Sequence, residues 1–234
     1  MIFAILPDFV SSDDKNRLSK KKIIFKGIFF YLKSIFLLIV VVLSMIVILN
    51  LLNVNTEPLK YPLEAEMAEM KRRGIFYALF LVVFFGPFIE ELSFRLGVSF
   101  NRKHVAISAG GMAYLLSSQF SGSGYFDYIY YKLAIAILVG LLLYRMNQAT
   151  LDKIQEKYGK GIIWVTILFF GFLHVTNYAI EATYFLPLYF VMCLPQVLMG
   201  IVFVYFRLNL GFVYALGFHC LLNGISFLTS LSYS

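Results

Sequence analysis

The chain has 234 residues, of which 60% are hydrophobic, 18% aromatic and only 14% charged. Soluble domains run about 45–50% apolar and about 25% charged, which excludes an ordinary water-soluble fold. The formal net charge of +7 sits in short segments beside apolar runs, where it marks membrane topology and anionic headgroups; no nucleic-acid-binding motif accompanies it.

Several apolar stretches reach about 20 residues, the length that crosses a hydrocarbon core of about 30 Å. Lipid offers backbone groups no hydrogen-bond partner, so the spans must be helices or a closed barrel. The runs are continuous and lack period-2 alternation, which selects helices. The expected fold is all-α: a polytopic transmembrane helical bundle of about seven spans (six to eight). One membrane domain is expected: residues 1–28 as a basic cytosolic lead-in, 29–73 as a first span with an interfacial loop, and 74–234 as the core.

In chain order, "MIFAILPDFV" is too short to span and lacks a basic n-region ahead of its apolar part. The charged "DDKNRLSKKK" follows as the lead-in. The first span is expected over about Phe29–Leu52. "YPLEAEMAEMKRR" pairs acids and bases at helical spacing and reads as an interfacial helix. The second span covers Gly74–Val98, and the third His104–Phe120, ending at the turn signal "SGSG". The fourth covers Tyr128–Tyr144, the fifth Gly161–Tyr178, the sixth Tyr184–Phe206 and the seventh Gly211–Leu231. The third and fourth are also compatible with re-entrant or tilted helices. Cys193 and Cys220 read as buried small hydrophobes, with no CxxC or disulfide pattern.

With the N-terminus in the cytosol and alternating spans, Lys15, Arg17, Lys20, Lys21, Lys22, Lys26, Arg102, Lys103, Arg145, Lys153, Lys157, Lys160 and Arg207 fall on the cytosolic side. The opposite side holds Lys60, Lys71, Arg72 and Arg73, and the cluster Lys71, Arg72 and Arg73 dissents. The chain is therefore expected to be a multi-pass integral membrane protein.

Ionisable residues inside spans are costly, about 2.5–3.5 kcal/mol each at a helix centre even on the lenient insertion scale. Lys33 and Lys132 lie near helix ends and are expected to snorkel. Glu90, Glu91, Arg95, His174 and His219 are harder to dismiss. Glu91 and Arg95 are i,i+4 and share a face, so they are expected to pair and neutralise each other. Glu90 is turned about 100° away and is left free for chemistry. In "FFGFLHV", Phe170 stands i,i+4 before His174 and flanks the imidazole. In "GFHCLLNG", His219 and Asn223 share a face and call for a polar partner. At 1.5 Å per residue, Glu90 and His219 lie roughly 12 Å and His174 about 20 Å from the cytosolic ends of their helices. Three helices can therefore direct Glu90, His174, His219 and Asn223 at one site.

"EELSFR", "FGFLH" and "HCLLN" fit EExxxR, FxxxH and HxxxN, in that order and on separate helices. The chain thereby resembles the CPBP family, the CAAX prenyl endopeptidases and the bacteriocin-processing or immunity (Abi) proteases of the membrane. The resemblance covers about Gly74–Leu231. It implies cleavage of a membrane-embedded or lipidated peptide or protein within the bilayer, in a bacterial cell membrane, with Glu90, His174, His219 and Asn223 as catalytic residues.

Two mechanisms follow. Either Glu90 and His174 activate water while His219 and Asn223 stabilise the oxyanion, or His174, His219 and Glu90 hold a zinc ion. The HExxH motif is absent, and metal-free activation is the expectation. Two other classes stay open: a non-catalytic regulator or immunity scaffold of the same fold, and a proton-coupled transporter. The transporter lacks support from any two-fold repeat.

Overall fold

In the computed structural model, which describes residues 14–51, 72–121, 126–177 and 186–232, every regular element is a helix. A turn, α1 (Asp14–Arg17), leads into α2 (Lys20–Leu51). The second predicted span is α3 (Ile75–Leu79) and α4 (Gly86–Phe94), joined without a break by a π-helical segment, Phe80–Phe85. Then come α5 (Arg102–Ser121), α6 (Ile129–Tyr144), α7 (Gln148–Leu173), α8 (Leu186–Met192), α9 (Leu194–Asn209) and α10 (Phe212–Ser232). Among the described residues, five helical stretches are long and apolar enough to cross a membrane. This is the all-α membrane bundle that the composition called for.

The remaining two predicted spans, α5 and α6, form a tight hairpin. α6 is apolar but has only 16 residues, and α5 carries Arg102, Lys103, Ser108, Ser117, Ser118 and Gln119. Small residues let their backbones approach. A Cβ on Gly110 would lie 2.8 Å from the Ala136 carbonyl oxygen, and one on Gly140 would lie 3.2 Å from that of Ala106.

Several boundaries differ from expectation, each for a local reason. α2 begins at Lys20, and Ile23, Gly27, Phe30 and Ser34 form its buried stripe. These residues pack on α9, so the start of this helix, read from the sequence as part of the lead-in, belongs to the core. α7 begins 13 residues before the predicted Gly161, because Asn147 caps it: its Oδ1 accepts the Thr150 N–H at 2.7 Å. The sixth span is broken between Met192 and Leu194, where Pro195 has no N–H to continue a helix from the preceding turn. Lys132 is fully buried rather than snorkelling, while Lys33 is exposed. The predicted interfacial helix (as far as Lys71) and the "SGSG" turn beyond Ser121 lie outside the described residues. Both cysteines are free thiols.

α9 is the central element. Every residue from Gly200 to Phe206 is buried, the pattern of a helix enclosed on all sides. It packs against α2, α7 and α10. Gly171 permits the closest approach: a Cβ there would lie 2.8 Å from the Val197 nitrogen and 2.9 Å from its Cα. Gly171→Ala is therefore expected to lower stability by about 1–3 kcal/mol, read as earlier unfolding of the detergent-purified protein.

Contacts at one end of the bundle gather the basic residues. Asp14 Oδ2 accepts from Tyr205 Oη at 2.7 Å, and the Lys15 N–H donates to Asn209 Oδ1 at 2.9 Å. The Arg102 N–H donates to Gln148 Oε1 at 3.0 Å. The starts of α2, α5 and α7 thus share an end with the finish of α9. Burial opposes ionisation of Asp14, but hydrogen bonds from Lys26 and Tyr205 outweigh it and hold its carboxyl below the usual range.

Candidate functional site

α4 is held in place at both ends. Its C-terminal carbonyls are capped by Arg207 of α9, whose Nε donates to the Arg95 carbonyl at 3.1 Å. Ser108 of α5 donates its hydroxyl to the Ser93 carbonyl at 2.5 Å. Before α4, the π-helical register shifts the ladder by one residue, so the Gly86 N–H reaches the Leu81 carbonyl. The next donor in that register would serve Val82, but the next residue is Pro87, which has none. Asn223 of α10 fills the vacancy: its Nδ2 donates to the Val82 carbonyl at 2.9 Å. The amide expected beside the oxyanion is thus engaged in joining α10 to the π-helical segment.

His219, one turn earlier on α10, is where the carboxylates meet. Its Nδ1 stands 3.0 Å from Glu91 Oε1 and its Nε2 stands 3.6 Å from Glu90 Oε2. A carboxylate only accepts, so the Nδ1 facing Glu91 carries a proton. Glu91 is buried completely and Glu90 is 20% exposed. The accessible acid is therefore Glu90, as expected from its turn around the helix. Glu91 pairs with Arg95 as expected and takes His219 as a second partner. Arg95 Nε lies 3.6 Å from Glu91 Oε1, an ion pair without a hydrogen bond, and the bonded partner of that oxygen is His219.

Arg95 is held by aromatic faces. Its Cζ lies 3.8 Å from the ring centre of Phe170, 5.3 Å from that of Phe203 and 5.6 Å from that of Phe94. Such contacts strengthen when desolvated. The guanidinium is fully buried, and none of its nitrogens has a hydrogen-bond partner among the described residues.

Phe170 joins the two histidines. Its ring centre is 5.0 Å from that of His174 and 5.9 Å from that of His219, both edge-on. α7 ends at Leu173, and His174 opens a 3-10 turn. His174 Nδ1 lies 2.8 Å from the Phe170 carbonyl oxygen. A carbonyl only accepts, so Nδ1 is the protonated nitrogen, and Nε2 of the neutral ring presents a lone pair. His174 is half-buried. Glu90 and His174 are thus the more accessible of these side chains, while Glu91, Arg95 and His219 are closed off.

One contributor carried no motif. Gln196, Gly200, Phe203 and Arg207 recur at i, i+4, i+7 and i+11 on α9. Phe203 stacks on the His219 ring, with centres 4.4 Å apart and planes at 23°. A Cβ on Gly200 would lie 3.3 Å from Arg95 Nη2 and from the Phe170 ring. Gln196 keeps its Oε1 buried and without a hydrogen-bond partner among the described residues. The helical spacing of this stripe was visible in the sequence, but nothing marked it as facing the acids.

In the alternative mechanism His174, His219 and Glu90 would hold a zinc ion. Among the described residues, no three His, Cys, Asp or Glu side chains form a group able to hold a metal ion. His219 Nδ1 is engaged by Glu91 Oε1, and its Nε2 stands 3.6 Å from Glu90 Oε2.

No family model matches this chain, and no curated protein or solved structure matches it either.

Proposed function

We propose that this protein is an intramembrane endopeptidase of the CAAX-protease type that hydrolyses a peptide bond of a membrane-embedded or lipidated protein with a water activated by Glu90. One observation carries the reading: two adjacent carboxylates of one helix meet the two ring nitrogens of a histidine from another, inside an apolar bundle. Burying such charges is costly unless the arrangement serves chemistry. The order of the EExxxR, FxxxH and HxxxN motifs supports the same reading.

In this mechanism the carboxylate of Glu90 accepts a proton from water as the oxygen attacks the peptide carbonyl carbon. His174 Nε2 orients that water through its lone pair. The proton then passes to the leaving nitrogen as the C–N bond breaks, which leaves a carboxylate and an amine. His219 stabilises the charge developing on the carbonyl oxygen. Glu91, Arg95, Phe170 and Phe203 hold His219 and the helix that carries Glu90. Asn223 contributes by fixing that helix, and His219 alone remains of the oxyanion pair inferred from the motifs.

The test is cleavage by the detergent-purified protein of a prenylated CAAX peptide and a panel of membrane-spanning peptides. Glu90→Gln and His174→Ala are each expected to slow turnover by about 10²–10⁴-fold. Cleavage that persists undiminished in Glu90→Gln would overturn the assignment. The closure of His219, whose side chain is 2% exposed, favours one other reading, a non-catalytic scaffold. Full biological activity of Glu90→Gln would select it.

A further inference from the structure

An outward-facing apolar groove of about 280 Å³ runs between the first turns of α2 and α10, away from the acidic site. Ile24 and Ile28 form its α2 wall, and Tyr214, Phe218 and Leu221 its α10 wall. Gly217 is its floor, where an added Cβ would meet no atom within 4 Å. α2 and α10 both start at this end, so the groove has a polar mouth and an apolar depth. Lys20 falls one turn before Ile24 on the same stripe, and its Nζ lies 6.0 Å from the ring centre of Tyr214. Exposed Lys21 and Lys22 flank it, and the first turn of α2 carries no acid. Asp14, on the turn before α2, is already tied to Lys26 and Tyr205.

We propose that this groove binds one acyl chain of an anionic phospholipid, whose headgroup is held at the mouth by Lys20 and its neighbours. The inference is independent of the proteolytic reading. The flanking side chains Phe25, Phe29 and Leu228 are exposed hydrophobics, so the groove opens where a bilayer would supply the occupant. The positive end of the α2 dipole adds to the lysine charge at the mouth. A second copy seated there in parallel would bring two basic clusters together, and the repulsion selects against it.

Native mass spectrometry of the detergent-purified full chain, titrated with phosphatidylglycerol or phosphatidylcholine, tests this. One phosphatidylglycerol should be retained at a several-fold lower concentration than phosphatidylcholine. Lys20→Gln should reduce that preference about fivefold, the effect of one basic residue near an anionic surface. Gly217→Leu puts a side chain into the groove from a position where its Cβ meets no atom within 4 Å, and it should remove the retained lipid with an unchanged unfolding temperature. Equal retention of the two lipids, retention unaffected by Gly217→Leu, or a dimer that excludes lipid would each overturn the proposal. Lys20 is exposed, so its variant reads out even if Gly217→Leu folds poorly.

Discussion

Glu91→Gln is expected to destabilise the bundle by about 3–5 kcal/mol, while Glu90→Gln changes its stability by no more than about 1 kcal/mol and slows cleavage by about 10²–10⁴-fold. The adjacent residues differ in what depends on their charge. Glu91 is fully buried, and its Oε1 both accepts from His219 and faces Arg95 Nε. Glutamine keeps the shape and one acceptor but removes the charge. Arg95 would then be a buried cation with only the rings of Phe170, Phe203 and Phe94 around it, because its nitrogens have no hydrogen bonds among the described residues. Glu90 reaches the edge of the site, 3.6 Å from His219 and not hydrogen-bonded to it, so its loss leaves no buried charge unmatched. Removing both members of the deeper pair sharpens the test. Glu91→Gln with Arg95→Met should be more stable than Glu91→Gln alone, since an uncharged replacement of a buried pair is often neutral or stabilising. Unfolding of the detergent-purified variants, followed alongside cleavage, reads both effects. Equal stability losses at the two glutamates would remove the division of roles between them.

Hydropathy carried the spans that lie wholly in apolar sequence, and helical spacing carried what happens within one helix: Phe170 beside His174, and Glu91 on the face of Arg95. Contacts between helices were less accessible. Nothing local ties Glu91 to His219, 128 positions later, because that bond depends on how α4 and α10 pack around α9. The first half of α7 was missed because "QATLDKIQEKYGKG" is polar and registers on no hydropathy window. Its signals were Asn147 as a cap and acids and bases at helical spacing. The break before α9 was legible in Pro195 and was overridden by the continuous apolar run around it. The role of α2 in the core was hidden because its lysines suggested a solvated lead-in, whereas Ile23, Gly27 and Phe30 form a narrow stripe between them.

The role of Asn223 also had a sequence signal, and it lies in a different segment, at Pro87. A proline within a helix removes one donor and leaves one carbonyl needing another. Here the π-helical register makes that carbonyl Val82, and Asn223 supplies the donor at 2.9 Å. Asn223→Leu should therefore cost about 1–3 kcal/mol, the penalty of an unsatisfied polar group. Asn223→Asp should be similarly destabilising, since an ionised carboxylate cannot donate to the carbonyl and would face its oxygen. Pro87→Ala restores a backbone N–H at the vacant position. Asn223→Leu should then cost less in the Pro87→Ala background than alone, by a coupling of about 0.5–3 kcal/mol. An oxyanion donor would behave differently: Asn223→Leu would abolish cleavage in both backgrounds with little change in stability. A double-mutant cycle that measures unfolding and turnover on the same four proteins separates the two. Coupling in stability, with turnover recovering alongside it, would assign Asn223 to the positioning of α4, so that the third motif serves the reaction by holding Glu90 against His219.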